Sequence, residues 1–185
     1  MAQVYAHPAR WGQRLRVAAW GGAAALLTIP AIAMQFTRDV AWSPLDFLFA
    51  AVLMFGSLVV FEWLVRRSGS PAYRIAAALG LLGVFLLVWI NAAVGIIGSE
   101  DNDANMLFAA VPATGFVVAA IGRFGAAALA RAFSAMGIVQ VLVAATAFSG
   151  VAGPIAGSER IVFGVTMVFT ALWLTAATLF ARAAR

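Results

Sequence analysis

Few side chains in this chain could do chemistry, and most of them crowd into one short run. Glu100-Asp101-Asn102-Asp103-Ala104-Asn105 concentrates oxygen ligands, and Asp101-x-Asp103-x-Asn105 repeats the alternation that opens an EF-hand calcium loop. The match then stops, because Met106 stands where the turn glycine belongs and Pro112 where the bidentate glutamate belongs. What survives is a weaker divalent-cation site drawn from Glu100, Asp101, Asp103 and Asn105. The simpler expectation, and the preferred one, is a hydrophilic turn in which one Asp or Asn caps the next helix and places negative charge at its positive end.

Three further polar residues interrupt apolar runs. Asn91 and Gln140 each lie well inside one, and an amide in hydrocarbon is costly unless hydrogen-bonded, so both should face other helices or a hydrated cavity. They are the first choice for contact with a solute, while interhelical hydrogen bonding is the plainer role. Glu62 is the one acid within such a run, and an intramembrane carboxylate is a functional candidate by default. Arg66 follows it by four residues, in the favourable order on one helical face, so a structural ion pair near the interface is expected.

The remaining inventory excludes several chemistries. His7 is the single histidine and precedes the first apolar run, which leaves no axial pair for a transmembrane haem. The chain has no cysteine and no lysine, so thiol redox, zinc-thiolate and Schiff-base chemistry lack their residues. No phosphate-binding glycine loop is present. No cofactor is expected, apart from the cation reading above. The net charge of +5 comes from arginines placed singly or in small groups at the ends of apolar runs, not from a basic stripe, so nucleic acid is not an expected partner.

The elements that must position these residues are legible from hydropathy. With 64% hydrophobic and 10% charged residues, the composition is that of a membrane domain. A spanning helix needs roughly 20 apolar residues for a hydrocarbon core of roughly 30 Å. Six windows qualify, at about 17–36, 45–65, 75–98, 105–122, 132–153 and 161–181. Their near-continuous apolarity lacks the alternation of a porin strand, so they are helices, and the expected fold is all-α: an integral membrane bundle of six helices with short loops, one membrane domain over 1–185. Membrane lipids are the first partners such a surface implies.

Charge orients the bundle. With a cytoplasmic N-terminus, Arg10, Arg14, Arg16, Arg66, Arg67, Arg74, Arg123, Arg131, Arg182 and Arg185 fall inside and only Arg38 and Arg160 outside. Of the acids only Glu62 lies towards the inside. Both termini are then cytoplasmic, with Tyr5, Trp11, Trp63 and Tyr73 near the inner boundary and Trp42 near the outer one. The first run resembles a secretory signal, with Ala31-Ile32-Ala33 as its cleavage-like end, but it is longer than a usual signal core and is expected to be retained.

Local signals refine the picture. Ser43-Pro44-Leu45-Asp46 reads as a cap, a first-turn proline and an acid at the third helical position. Pro30 and Pro112 should bend the first and fourth helices, and residues 124–131 could form a short interfacial helix. Gly98-Ser99-Glu100 and Gly157-Ser158-Glu159 are expected to close the third and fifth helices as a weak internal repeat. The pairs Ala76/Gly80, Gly21/Ala25 and Ala145/Ser149 offer small faces for close helix approach, within one chain or between copies.

The segment Val94-Gly95-Ile96-Ile97-Gly98-Ser99-Glu100-Asp101-Asn102-Asp103-Ala104-Asn105 resembles the GIIGSEDN-x-AN motif of an uncharacterised family of small multi-pass bacterial inner-membrane proteins, with Asp103 at its variable position. The resemblance extends to the apolar run before the motif and the start of the one after it. It implies a bacterial inner-membrane location and transfers no catalytic residue. The expected function is therefore a non-catalytic structural or accessory component that packs with itself or with a larger membrane assembly. The alternative is a small transporter or channel for an ion or small solute.

Overall fold

The computed structural model of the protein describes residues 8–150 and 157–185, with side chains from Gly12 onward. Tyr5, His7, the side chains of Arg10 and Trp11, and the outer end of the fifth window lie outside the described residues. Among those described there is no strand, and six helices are long and apolar enough to cross a membrane. They are α1 (Pro8–Ala33), α2 (Pro44–Val65), α3 (Pro71–Ala93), a 3-10 stretch (Asp103–Ala109) continuing into α4 (Ala110–Ile121), α5 (Ala126–Phe148) and α6 (Glu159–Ala183). The described residues are thus those of an all-α membrane protein with six candidate spans.

Helix starts follow local chemistry. Ser43 and Asp46 cap α2 reciprocally: the Ser43 amide donates to Asp46 Oδ2 at 2.7 Å and the Asp46 amide to Ser43 Oγ at 3.3 Å. Pro44 occupies the first position, where its missing donor costs nothing. In α3, Ser70 Oγ accepts from the Tyr73 amide at 3.5 Å and Pro71 fills the first helical position.

Several expected ends move. α5 begins at Ala126, so its first turns take up most of the stretch expected to form a separate interfacial helix; alanine and leucine there are strong helix formers that need no membrane burial to coil. Gly157-Ser158-Glu159 does not close α5. It opens α6, with Glu159 Oε2 accepting from the Gly157 amide at 3.0 Å. α3 stops at Ala93, and Gly98-Ser99-Glu100 belongs to the turn beyond it. Pro112 is the third residue of α4, directly after the 3-10 stretch, so it helps to start that helix. α1 starts at Pro8, and its 26 residues reach about 39 Å at about 1.5 Å each, so the turns carrying Arg14 and Arg16 exceed the hydrocarbon thickness.

The chain divides into two compact units, Met1–Val60 and Phe61–Arg185. In the first, Trp20 of α1 stacks on Phe55 of α2 with centroids 5.7 Å apart. Among the described residues of this unit, only Ala23 of α1 and Ala50 of α2 are buried.

The second unit has the dense core. α5 packs between α4 and α6, and α6 packs in turn against α3. Trp173, Phe180, Phe133, Phe169 and Tyr73 form a buried aromatic column, with Phe133 and Phe180 stacked at 5.5 Å and Tyr73 meeting Phe180 edge-on at 5.1 Å. Glycines make room for the column. A Cβ on Gly80 would drive into the Phe133 ring, and one on Gly83 would lie 2.6 Å from Trp173. The Ala76/Gly80 face is thus filled by a ring rather than by a neighbouring backbone. Ala145 and Ser149 are exposed, and Gly21 opens on free space.

Because neighbouring helices alternate in direction, the second unit has two chemically different ends. Arg66, Arg67, Arg74, Arg123, Arg131, Arg182 and Arg185 gather with Glu62 at one end, while Glu100, Asp101, Asp103 and Glu159 gather with Arg160 at the other.

Candidate functional site

The acidic run sits on a turn built from the backbone by one side chain. Gly95 and Gly98 have φ of 68° and 73°, in the left-handed region where glycine is at ease, and they bracket Ile96 and Ile97, both fully buried. A Cβ on Gly95 would meet the Ser99 carbonyl at 2.5 Å and Asn105 Nδ2 at 2.8 Å. Asn105, 3% exposed, fills the inside of this turn. Its Oδ1 accepts from the amides of Ile96 and Ile97 at 2.9 and 2.8 Å, and its Nδ2 donates to the carbonyls of Ser99 and Ile97 at 2.6 and 3.4 Å. Asn102 caps the 3-10 stretch by accepting from the Ala104 amide at 3.0 Å. The turn is tied outward as well: the Gly98 amide donates to Ser158 Oγ at 3.0 Å, which joins the two Gly-Ser-Glu segments.

This arrangement separates the four oxygen ligands of the cation reading. Asn105 points inward with its carbonyl oxygen engaged by two amides, whereas Glu100, Asp101 and Asp103 are exposed. Among the described residues no three His, Cys, Asp or Glu side chains are placed to hold a metal ion. The capping expectation does materialise, through Asn102. What hydropathy reading missed is the role of Asn105, whose only signal was a second asparagine just inside the next apolar run.

The two intramembrane amides meet protein groups on one side only. Asn91 Nδ2 donates to the Asn105 carbonyl at 3.0 Å, which links α3 to the turn, while its buried Oδ1 has no partner. Gln140 is wholly buried. Its Oε1 accepts from Trp173 Nε1 at 3.5 Å, and its Nε2 has no partner. Glu62 forms the expected ion pair, 3.3 Å from Arg66, with Arg66 well exposed.

The basic end carries a corner that sequence reading overlooked. Arg123 and Phe124, between α4 and α5, have φ of 53° and 58°, which is strained for side chains bearing a Cβ. Their carbonyls are both held: Arg123 O accepts from Arg67 Nη1 at 2.7 Å and Phe124 O from the Tyr73 hydroxyl at 3.3 Å. Arg67 also lies 3.9 Å over the Trp63 ring, which meets Phe124 edge-on at 4.9 Å. These groups lock a turn; no nucleophile and base stand together in them.

No protein-family model matches the chain, and neither does any curated protein or solved structure.

Proposed function

We propose that this chain is a non-catalytic, multi-pass protein of a bacterial inner membrane, with both termini in the cytoplasm, that serves as an accessory component by packing its α1 face against other membrane helices. The observation carrying the proposal is the contrast between glycines. In the second unit Gly80, Gly83 and Gly115 each receive a large side chain and Gly164 alone of the described α3–α6 helix glycines is open, whereas within the first unit Gly12, Gly21 and Gly22 of α1 and Gly56 of α2 all have nothing within 4 Å of an added Cβ. Glycine inside a helix costs about 0.5–1 kcal/mol relative to alanine, and in membranes that cost is recovered by close helix approach. The motif resemblance supports the bacterial setting, and the ten-to-two arginine bias supports the orientation.

The chain has no cysteine, so a single Gly21→Cys variant gives a cross-linking test without background. Oxidation or a short bis-maleimide in native membranes should yield a discrete higher-mass adduct, at twice the chain mass for self-packing or at another mass for a different partner. Only monomer, together with membrane complexes unaltered by deletion of the gene, would remove this reading.

A second reading, a small transporter or channel, draws on the unpaired Asn91 Oδ1 and Gln140 Nε2. Flux into liposomes should then fall in Asn91→Leu and Gln140→Leu; equal flux in all three proteins would exclude these residues from a pathway.

A further inference from the structure

The seam between α5 and α6 holds polar atoms that behave differently from six other helical hydroxyls. Thr28, Thr146, Thr175, Thr178, Ser57 and Ser134 each return the hydroxyl to a backbone carbonyl three or four residues earlier, at 2.6 to 3.0 Å. Thr166 and Thr170 do not. Their hydroxyls are buried and bonded to no protein group.

Gln140 completes the set. A tryptophan ring nitrogen only donates, so the bond from Trp173 fixes the Gln140 carbonyl oxygen towards it and turns the NH2 group elsewhere. That NH2 is buried and unpartnered, on a residue with 0% exposure. Register places these groups at neighbouring heights. Gly137 of α5 lies against Thr170 and Leu174, and α5 and α6 run antiparallel, so Gln140, one turn further along α5, falls at the level between Thr170 and Thr166.

Packing at Gly137, on the same seam, is less tight than at the other buried helix glycines: an added Cβ would meet only ordinary contacts, at 3.6 Å from Leu174 Cδ2 and 3.9 Å from Thr170 Cγ2. At Gly83 and Gly115, by contrast, a side-chain atom already occupies the position of the missing Cβ.

We propose that the α5–α6 seam is a binding site for one small neutral molecule of water's size that both donates and accepts hydrogen bonds, held by Gln140 Nε2 with the hydroxyls of Thr166 and Thr170. The groups match such a guest. The amide supplies donors, the two hydroxyls supply either sense, and a buried water makes about three such bonds. The charged residues of these two helices, Arg131, Glu159, Arg160 and Arg182, lie near their ends, so neither helix offers an ion a countercharge at this level. The site is distinct from the α1 face on which the accessory reading rests and stands independently of it.

Solid-state NMR on the full-length protein in phospholipid bilayers, with glutamine side-chain amides labelled with nitrogen-15, tests the site with water itself as the probe. The Gln140 resonance is assigned by its loss in Gln140→Met. Magnetisation transfer from water to the Gln140 NH2 is expected in the wild type and in Thr170→Ser, which keeps the hydroxyl, and is expected to vanish in Thr166→Val/Thr170→Val. Gln140 NH2 protons that correlate only with protein groups in the wild type would overturn the proposal without recourse to any variant, and so would a water signal that persists in the double valine protein.

Discussion

Asn105 shows how much structure can rest on one side chain. Replacing it with alanine would strand the amides of Ile96 and Ile97 and the carbonyl of Ser99 in a buried turn, and each stranded group costs about 1–3 kcal/mol. Asn105→Ala should therefore lower the thermal midpoint in mild detergent sharply, by the equivalent of at least about 2 kcal/mol. Asp103→Asn, on the exposed side of the same run, should leave it nearly unchanged. The two left-handed glycines should separate in the same assay. Gly95→Ala meets both the φ penalty and the Ser99 carbonyl, whereas Gly98→Ala meets the φ penalty and, at 3.3 Å, only the side-chain Nδ2 of Asn102. A cation site would instead make Asp103→Asn costly as well, since a ligand would be lost. These residue roles were only partly legible in the sequence. The alternation of Asp101, Asp103 and Asn105 grouped the asparagine with the acids by spacing, whereas its function depends on the chain reversing between Gly95 and Asn105, which spacing along a line does not encode.

At the scale of elements, hydropathy located all six spans because the hydrocarbon thickness imposes their length. It misplaced ends by several residues where helices continue past the hydrocarbon, as at the start of α1 and at Ala126 of α5, or stop short of it, as where α3 yields to the Gly95–Gly98 turn. Packing partners were not legible at all, since lipid-facing and core-facing residues are both apolar, and small-residue spacing alone did not distinguish Gly80 from Gly21. Substitution should make that distinction measurable. Gly80→Ala forces the Phe133 ring to shift and should destabilise by about 1–3 kcal/mol. Gly164→Ala, in α6 with nothing within 4 Å, should stabilise by about 0.5–1 kcal/mol through helix propensity alone. The α4–α5 corner offers a third case. Arg123→Gly keeps the carbonyl that Arg67 binds and removes the Cβ from a backbone at φ 53°, so a gain of about 1 kcal/mol is expected in unfolding by denaturing detergent. A loss there would mean that the exposed Arg123 side chain contributes more than the strain it carries.

For the molecule as a whole, the governing feature is the sorting of charge between the two ends of the second unit, with seven arginines at one and four carboxylates at the other. Arginine costs more to move across a bilayer than the acids influence insertion, so the basic end is the one expected to stay on the side of synthesis. The aromatic lock around Trp63, Arg67 and Tyr73 lies at that basic end, and the Asn105 turn lies at the acidic end, so each folded corner is assigned to one side of the membrane by the same argument. Cysteine scanning reads this directly in a chain without native thiols. Ser99→Cys, exposed in the acidic turn, should react in intact cells with a maleimide that does not cross the membrane, and Arg182→Cys, exposed near the end of α6, should react only after the cells are opened. Labelling in the reverse order would invert the topology and place the arginine-rich corner outside. Labelling of both sites in intact cells would break the six-crossing arrangement altogether, because α3 to α6 would then no longer place their two ends on opposite faces.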